Sequence, residues 1–136
     1  RQRSRPYLFS NTLAPIITYT AIKTINMLSD SSDLRKKLIE NTAYFREKIK
    51  KIGYTIKEGE HPIVPIMLGD AKLAQEVSKR MLDKGVFVIG FSYPVVPKNE
   101  ARIRVQLSAA HSIEQLDYTL QAFKKVGKDL KLFNHQ

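Results

Sequence analysis

The chain opens on a stretch without a regular period, Tyr7-Leu8-Phe9-Ser10-Asn11-Thr12-Leu13-Ala14, and helical patterning begins at Pro15. A proline suits the first turn of a helix, where its missing N–H costs nothing. From there Ile16, Ile17, Tyr19, Ala21, Ile22, Ile25 and Leu28 spread around much of the helical circumference. That pattern predicts a helix buried between two layers. Ser31 or Ser32 offers an N-cap and Asp33 an acid in the first turn, so a second helix is predicted. It carries Leu34, Leu38, Ile39, Phe45 and Ile49 and stops at Gly53.

Past Gly53 the spacing changes. Short strands are predicted over 54–57, 63–68, 86–89 and 102–107, with Pro65 marking the second as an edge or bulged strand because it donates no hydrogen bond. Asp70 caps a helix bearing Leu73, Ala74, Val77, Met81 and Leu82, which Gly85 ends. Ser112-Ile113-Glu114-Gln115 has the form of a capping box and opens a last helix with Leu116, Leu120, Phe123 and Val126 inward. The order helix-helix, then strand-strand-helix-strand-strand-helix, predicts an α/β (α+β) fold of two layers. Its small, mainly antiparallel sheet has helices on one side. Residues 1–52 read as linking segment and helices, and 53–136 as a small domain.

Composition narrows the function classes. At 136 residues and 43% hydrophobic, the chain has the size and apolar content of one folded domain. No run approaches the roughly 18 apolar residues of a membrane helix. Without cysteine it forms no disulfide or thiolate metal site, which fits a reducing compartment. The three histidines, His61, His111 and His135, match no metal-ligand spacing. Arg1-Gln2-Arg3-Ser4-Arg5-Pro6, with neither an initiator Met nor a leader's apolar core, reads as internal sequence of a longer protein. The net charge of +10 raises nucleic acid as a partner. The lysines, however, mostly punctuate helices (Lys36-Lys37, Lys48, Lys50-Lys51, Lys124-Lys125), the spacing of a solvated face.

Candidate chemistry concentrates around the last strand. Alternation puts Arg102, Arg104, Gln106 and Ser108 on one face and Ile103, Val105 and Leu107 on the other, which must be the core face. An Arg guanidinium matches a carboxylate through two parallel hydrogen bonds, so Arg104 reads either as an anion site or as a solvated strand arginine. The preceding loop, Gly90-Phe91-Ser92-Tyr93-Pro94-Val95-Val96-Pro97-Lys98-Asn99-Glu100, is apolar and stiffened by proline. It reads either as a functional loop or as a cover packed on its own sheet. Ser10, Asn11 and Thr12 before the first helix offer either N-capping or a phosphate contact. There is no Gly-rich nucleotide loop and no Ser-His-Asp ordering. On the residues alone this is a basic two-layer domain with one carboxylate-binding candidate beside a stiff loop.

Four stretches carry a resemblance. Arg5-Pro6-Tyr7-Leu8-Phe9-Ser10-Asn11, Pro65-Ile66-Met67-Leu68-Gly69-Asp70, Gly90-Phe91-Ser92-Tyr93-Pro94-Val95-Val96-Pro97 and Ala101 through His111 occur in an order that resembles the α-oxoamine synthases. Within that family they are most similar to the glycine C-acetyltransferase (2-amino-3-ketobutyrate coenzyme A ligase) branch. The resemblance implies the C-terminal part of a type I pyridoxal-phosphate transferase that interconverts glycine plus acetyl-CoA and 2-amino-3-ketobutyrate plus CoA, as in threonine breakdown. It implies that Arg104 grips the amino-acid carboxylate and that Ser10, with Asn11 beside it, reaches the cofactor phosphate. It further implies a homodimer with a shared site, in the cytoplasm or, in a eukaryote, the mitochondrial matrix. Loop 91–97 would line the acyl-CoA entrance, with Lys98 a candidate for its phosphates. The cofactor lysine is expected upstream of Arg1, so no catalytic residue and no metal ligand is expected here, and pyridoxal phosphate is expected to be held mainly by a missing domain. Asn99 stands where related sequences tend to have glycine, and Asn tolerates the same left-handed backbone. The alternatives are another member of the family (8-amino-7-oxononanoate, 5-aminolevulinate or serine palmitoyltransferase type) or, from a different class, a basic nucleic-acid-binding module.

Overall fold

The computed structural model describes residues 3–5 and 12–133, and it divides into two compact units, Arg1–Asp33 and Leu34–Gln136. The first unit contains helix α1 (Pro15–Asp30), with Pro15 in its first turn as expected. The hydroxyls of Thr18, Thr20, Thr24 and Ser29 each donate to the carbonyl four residues earlier. The helix thereby satisfies its own hydroxyls and presents an apolar surface. None of its residues is buried within this chain; Ile16, Tyr19, Ile22, Ile25 and Leu28 are all exposed.

In the second unit the elements run α2 (Asp33–Ile52), β1 (Ile63–Gly69), α3 (Ala71–Asp83), β2 (Ile89–Phe91), β3 (Ala101–Gln106) and α4 (Ile113–Asp129). The sheet is antiparallel in the order β1-β3-β2, so β3 is central. Ile66 pairs with Ile103 and Val64 with Val105, and all four are buried. Against them pack Phe45 and Ile49 of α2, Val77 and Met81 of α3, and Leu116, Leu120 and Phe123 of α4. Each such fully buried side chain stabilises the fold by roughly 1.5–3 kcal/mol relative to exposure. Phe123 is the aromatic hub: Phe45 and Tyr54 meet it edge-on at 6.4 and 5.6 Å, and the Tyr54 hydroxyl donates to its carbonyl at 2.9 Å. Burial pushes the Tyr54 phenol pKa up.

The α2 helix departs from its expected pattern. Leu34 and Ile39 are exposed, whereas Asn41, Thr42 and Arg46 are buried beside Phe45 and Ile49. Thr42 donates its hydroxyl to the Leu38 carbonyl within the helix, whereas Asn41 and Arg46 reach beyond it. Arg46 donates to the carbonyls of Lys57, His61 and Ile63, closing the connection into β1. Through Phe45 and Ile49, α2 contributes to the core of the second unit.

Two of the four expected strands also change. The 54–57 segment forms a single bridge, Ile56 to Ile66, flanked by hydrogen bonds from Lys57 N–H to Pro65 O and from Met67 N–H to Thr55 O. The Lys57 carbonyl is taken by Arg46, and Gly59 at φ 139° turns the chain away. The 86–89 strand begins only at Ile89. Val86 N–H is spent on Met81 O at the end of α3, and Val88 O accepts from the Ser78 hydroxyl at 2.6 Å. The expected caps are present: Asp70 accepts from Leu73 N–H, and Ser112 and Gln115 form a reciprocal capping box. Pro65 sits on the edge strand β1, which carries a register shift between Met67 and Gly69. Among the described residues, no helix is long and apolar enough to cross a membrane.

Gly90 sets how closely α3 approaches β2. A Cβ there would lie 3.0 Å from the Ala74 carbonyl oxygen and 3.2 Å from its carbon. Gly90→Ala should therefore cost about 1–3 kcal/mol by forcing a backbone shift. A lowered midpoint in urea unfolding of the full-length protein is the expected result, and an unchanged midpoint would show that the two backbones separate freely.

Candidate functional site

The face of the sheet opposite the core carries the candidate residues. On β3 the buried residues Ala101, Ile103 and Val105 alternate with Arg102, Arg104 and Gln106, which point away from the core. This is the expected face assignment, and Leu107 is buried as well. In register with Arg104 stand Pro65 on β1 and Ile89 on β2; Met67 and Phe91 stand opposite Arg102. Arg104 thus rises from a collar of largely apolar neighbours.

The two arginines differ in what holds them. Arg102 is committed: its terminal nitrogen pairs with the Glu100 carboxylate at 2.9 Å, its Nε donates to the Glu100 carbonyl at 3.1 Å, and its side chain is only 12% exposed. Arg104 is exposed, and its guanidinium carbon lies 4.2 Å from the centre of the Phe91 ring. Among the described residues, no carboxylate or carbonyl accepts from it. An exposed guanidinium with its fork of N–H donors unspent is suited to a carboxylate or another planar anion.

Two clefts meet at Arg104. One, of 430 Å³, is lined by Phe91, Gln106, Ser108 and His111 among others. The other, of 360 Å³, is bordered by Arg46, Lys57, His61 and Arg102. Glu58 also borders the second cleft, but it is bonded to Lys50, which holds its carboxyl below the usual range. Positive charge therefore predominates in the second cleft, while in the first Arg104 itself is the charged lining residue.

His111, weak on spacing alone, lines the first cleft and has a defined role in shaping it. Its Nδ1 accepts from Ser108 N–H at 3.2 Å, which places the neutral ring's proton on Nε2. The Asn41 amide donates to the carbonyls of Ser108 and His111 at 3.0 and 3.1 Å, fixing the turn from α2. No local sequence signal marked Asn41, because its partners lie 67 and 70 residues away. Phe91 stood out only as a loop aromatic, since its register with β3 is visible only in three dimensions.

The loop after Phe91 is part buried and part exposed. Val96 is buried and anchors it, while Tyr93 and Val95 are 63% and 69% exposed and face outward. Lys98 Nζ sits 5.3 Å from the Tyr93 ring centre. Asn99 has φ 64°, the left-handed conformation for which glycine or asparagine is suited. Ser10 and Asn11 lie outside the described residues. Among the described residues no group of three His, Cys, Asp or Glu could hold a metal ion.

Residues 1–123 match the family model described as aminotransferase class I and II. The mitochondrial 2-amino-3-ketobutyrate coenzyme A ligase of Mus musculus is 51% identical over 94% of this chain and 31% of that protein. The 2-amino-3-ketobutyrate coenzyme A ligase of Escherichia coli (strain K12) is 49% identical over 96% of this chain and 33% of its own length. A solved serine palmitoyltransferase from S. paucimobilis with bound PLP is 27% identical with a TM-score of 0.87, covering 98% of this chain and 34% of that one. The chain spans about a third of the length of these relatives.

The Asn41 link gives the site a testable dependence. Asn41→Ala removes both donors and leaves two carbonyls to find water, at a cost of about 1–3 kcal/mol. Amide exchange across residues 108–111 should quicken in that variant, measured on the full-length protein. Exchange as slow as in the unmodified protein would mean that the turn stands without α2.

Proposed function

The chain belongs to the class I and II aminotransferase family, and from that premise we propose that it is the C-terminal, substrate-gripping part of a pyridoxal-phosphate-dependent acyltransferase. The reaction we assign to the full-length protein joins glycine to acetyl-CoA, giving 2-amino-3-ketobutyrate and CoA, or runs in reverse. Relatives of about 50% identity carry the corresponding ligase name. The observation that carries the reading is the contrast within β3: Arg102 is neutralised by Glu100, and Arg104 two residues later keeps its donors free. Arg104 would take the glycine carboxylate edge-on through two N–H groups, fixing the amino acid's orientation. The positive charge predominating in the second cleft favours that anion's approach.

Pyridoxal phosphate, when bound, supplies the electron sink for the glycine carbanion. The described residues fit the substrate side of that chemistry and not the cofactor itself. Their lysines are exposed, with only Lys84 half-buried, and none is enclosed as a Schiff-base lysine would be. We therefore place the cofactor lysine outside this chain and expect the chain alone to be inactive. Ser10 and Asn11 are the proposed contacts to the cofactor phosphate, in a homodimer whose site is shared. The exposed apolar α1, within the proposed linking region 1–52, is the segment we assign to contact with the cofactor domain. Exposed Tyr93 and Val95 would face the incoming acyl-CoA.

The test uses the full-length enzyme and follows CoA release with a thiol reagent. Arg104→Ala should raise the KM for glycine about 100-fold, equivalent to about 3 kcal/mol. Arg104→Lys should recover only part, because an ammonium cannot make the paired contact. An unchanged glycine KM in the Ala variant would remove Arg104 from the site. Comparing glycine with serine, and acetyl-CoA with longer acyl donors, separates this activity from those of the other family members.

A further inference from the structure

Arg104 is free of hydrogen-bond acceptors among the described residues, which leaves unexplained what keeps so long a side chain in one place. Rotamer freedom of a free arginine is worth about 2 kcal/mol, and binding a carboxylate must offset whatever part of it is lost. Its guanidinium carbon lies 4.2 Å from the centre of the Phe91 ring. We propose that Phe91 is the positioning residue for Arg104. Its ring holds the guanidinium by its face, so that the N–H edge points to the substrate carboxylate.

The geometry follows from the ladder. Phe91 pairs with Arg102, which puts it diagonal to Arg104 and on the same face of the sheet. That diagonal spacing is within reach of an aromatic ring and a long side chain. Contact through the π-face is favourable for a guanidinium and occupies none of its in-plane donors. A carboxylate in the same place would have taken those donors, as Glu100 does for Arg102. Phe91 is itself well held: β2 is clamped between β3 and the α3 backbone, which Gly90 lets approach so closely that a Cβ would meet Ala74 O at 3.0 Å. The ring is half-buried and sits at the last residue of the strand, before the outward-facing loop.

This inference rests on the assignment of Arg104 to the glycine carboxylate, and it is separable from it. In the full-length holoenzyme, Phe91→Leu keeps an apolar side chain and removes the π-face. The glycine KM is expected to rise about 5-fold, with kcat within about twofold of the parent and the acetyl-CoA KM moving less than the glycine KM. Phe91→Tyr, which preserves the π-face, should restore the glycine KM. In an Arg104→Ala background, Phe91→Leu should have no further effect on glycine. The proposal is overturned if Phe91→Leu leaves the glycine KM unchanged while Arg104→Ala raises it. It is overturned equally if Phe91→Leu still raises the glycine KM in the Arg104→Ala background, or if acetyl-CoA is the substrate whose KM moves more. If Arg104→Ala itself has no effect on glycine, the carboxylate assignment falls and this inference with it. Should the Leu variant fail to fold, Phe91→Met gives the same comparison with an unbranched side chain.

Discussion

Everything that distinguishes this domain is arranged by the two-residue period of its central strand. Ala101, Ile103, Val105 and Leu107 are buried, with Ile103 and Val105 paired to Ile66 and Val64 of the neighbouring strand. A slip of one residue would place Arg102 and Arg104 in the apolar interior and Ile103 in water, at a cost of several kcal/mol for each buried charge. The core therefore fixes the register, and the register fixes which side chains can meet a ligand. Three helices reinforce the inner face through Phe45, Val77 and Phe123, and one of them, α2, extends two polar links. Arg46 holds the approach to β1 and Asn41 holds the exit from β3.

The same strand separates two arginines that look alike in sequence. Glu100, at the end of the preceding loop, engages Arg102 with both its backbone and its carboxylate. Asn99, in a left-handed conformation one residue earlier, turns the chain into that position. With Arg102 neutralised, the sheet face presents one available guanidinium and not a diffuse basic patch. This is why the net charge of the chain says little about its partner.

The parts legible in the sequence were those governed by local rules. Alternation in 102–107, the capping box at Ser112, the Asp70 cap and the helix-initiating Pro15 each follow from a few adjacent residues. The misread parts depended on distant partners. Val86 and Val88 have strand-like side chains, yet their backbone groups are spent on Met81 and Ser78 of the preceding helix. Asn41 and Arg46 broke the expected apolar stripe of α2 because they bond to carbonyls outside their own helix. At the candidate site, the outward orientation of Arg104 was readable from the strand period. The approach of Phe91 to Arg104 and the Asn41 link were not, since each forms only when elements apart in sequence are brought together.

The arrangement of β1 and β2 around β3 has a consequence for self-association. A three-stranded sheet has two edges, and an open edge is a template on which another chain can add a strand. Here β2 is three residues long and backed closely by α3, so it exposes little ladder to copy. On the other side β1 carries Pro65, which lacks an N–H, and its outer groups are partly occupied by the bridge at Ile56. A domain that presents a guanidinium on an open sheet face is thus kept from polymerising through its own strands.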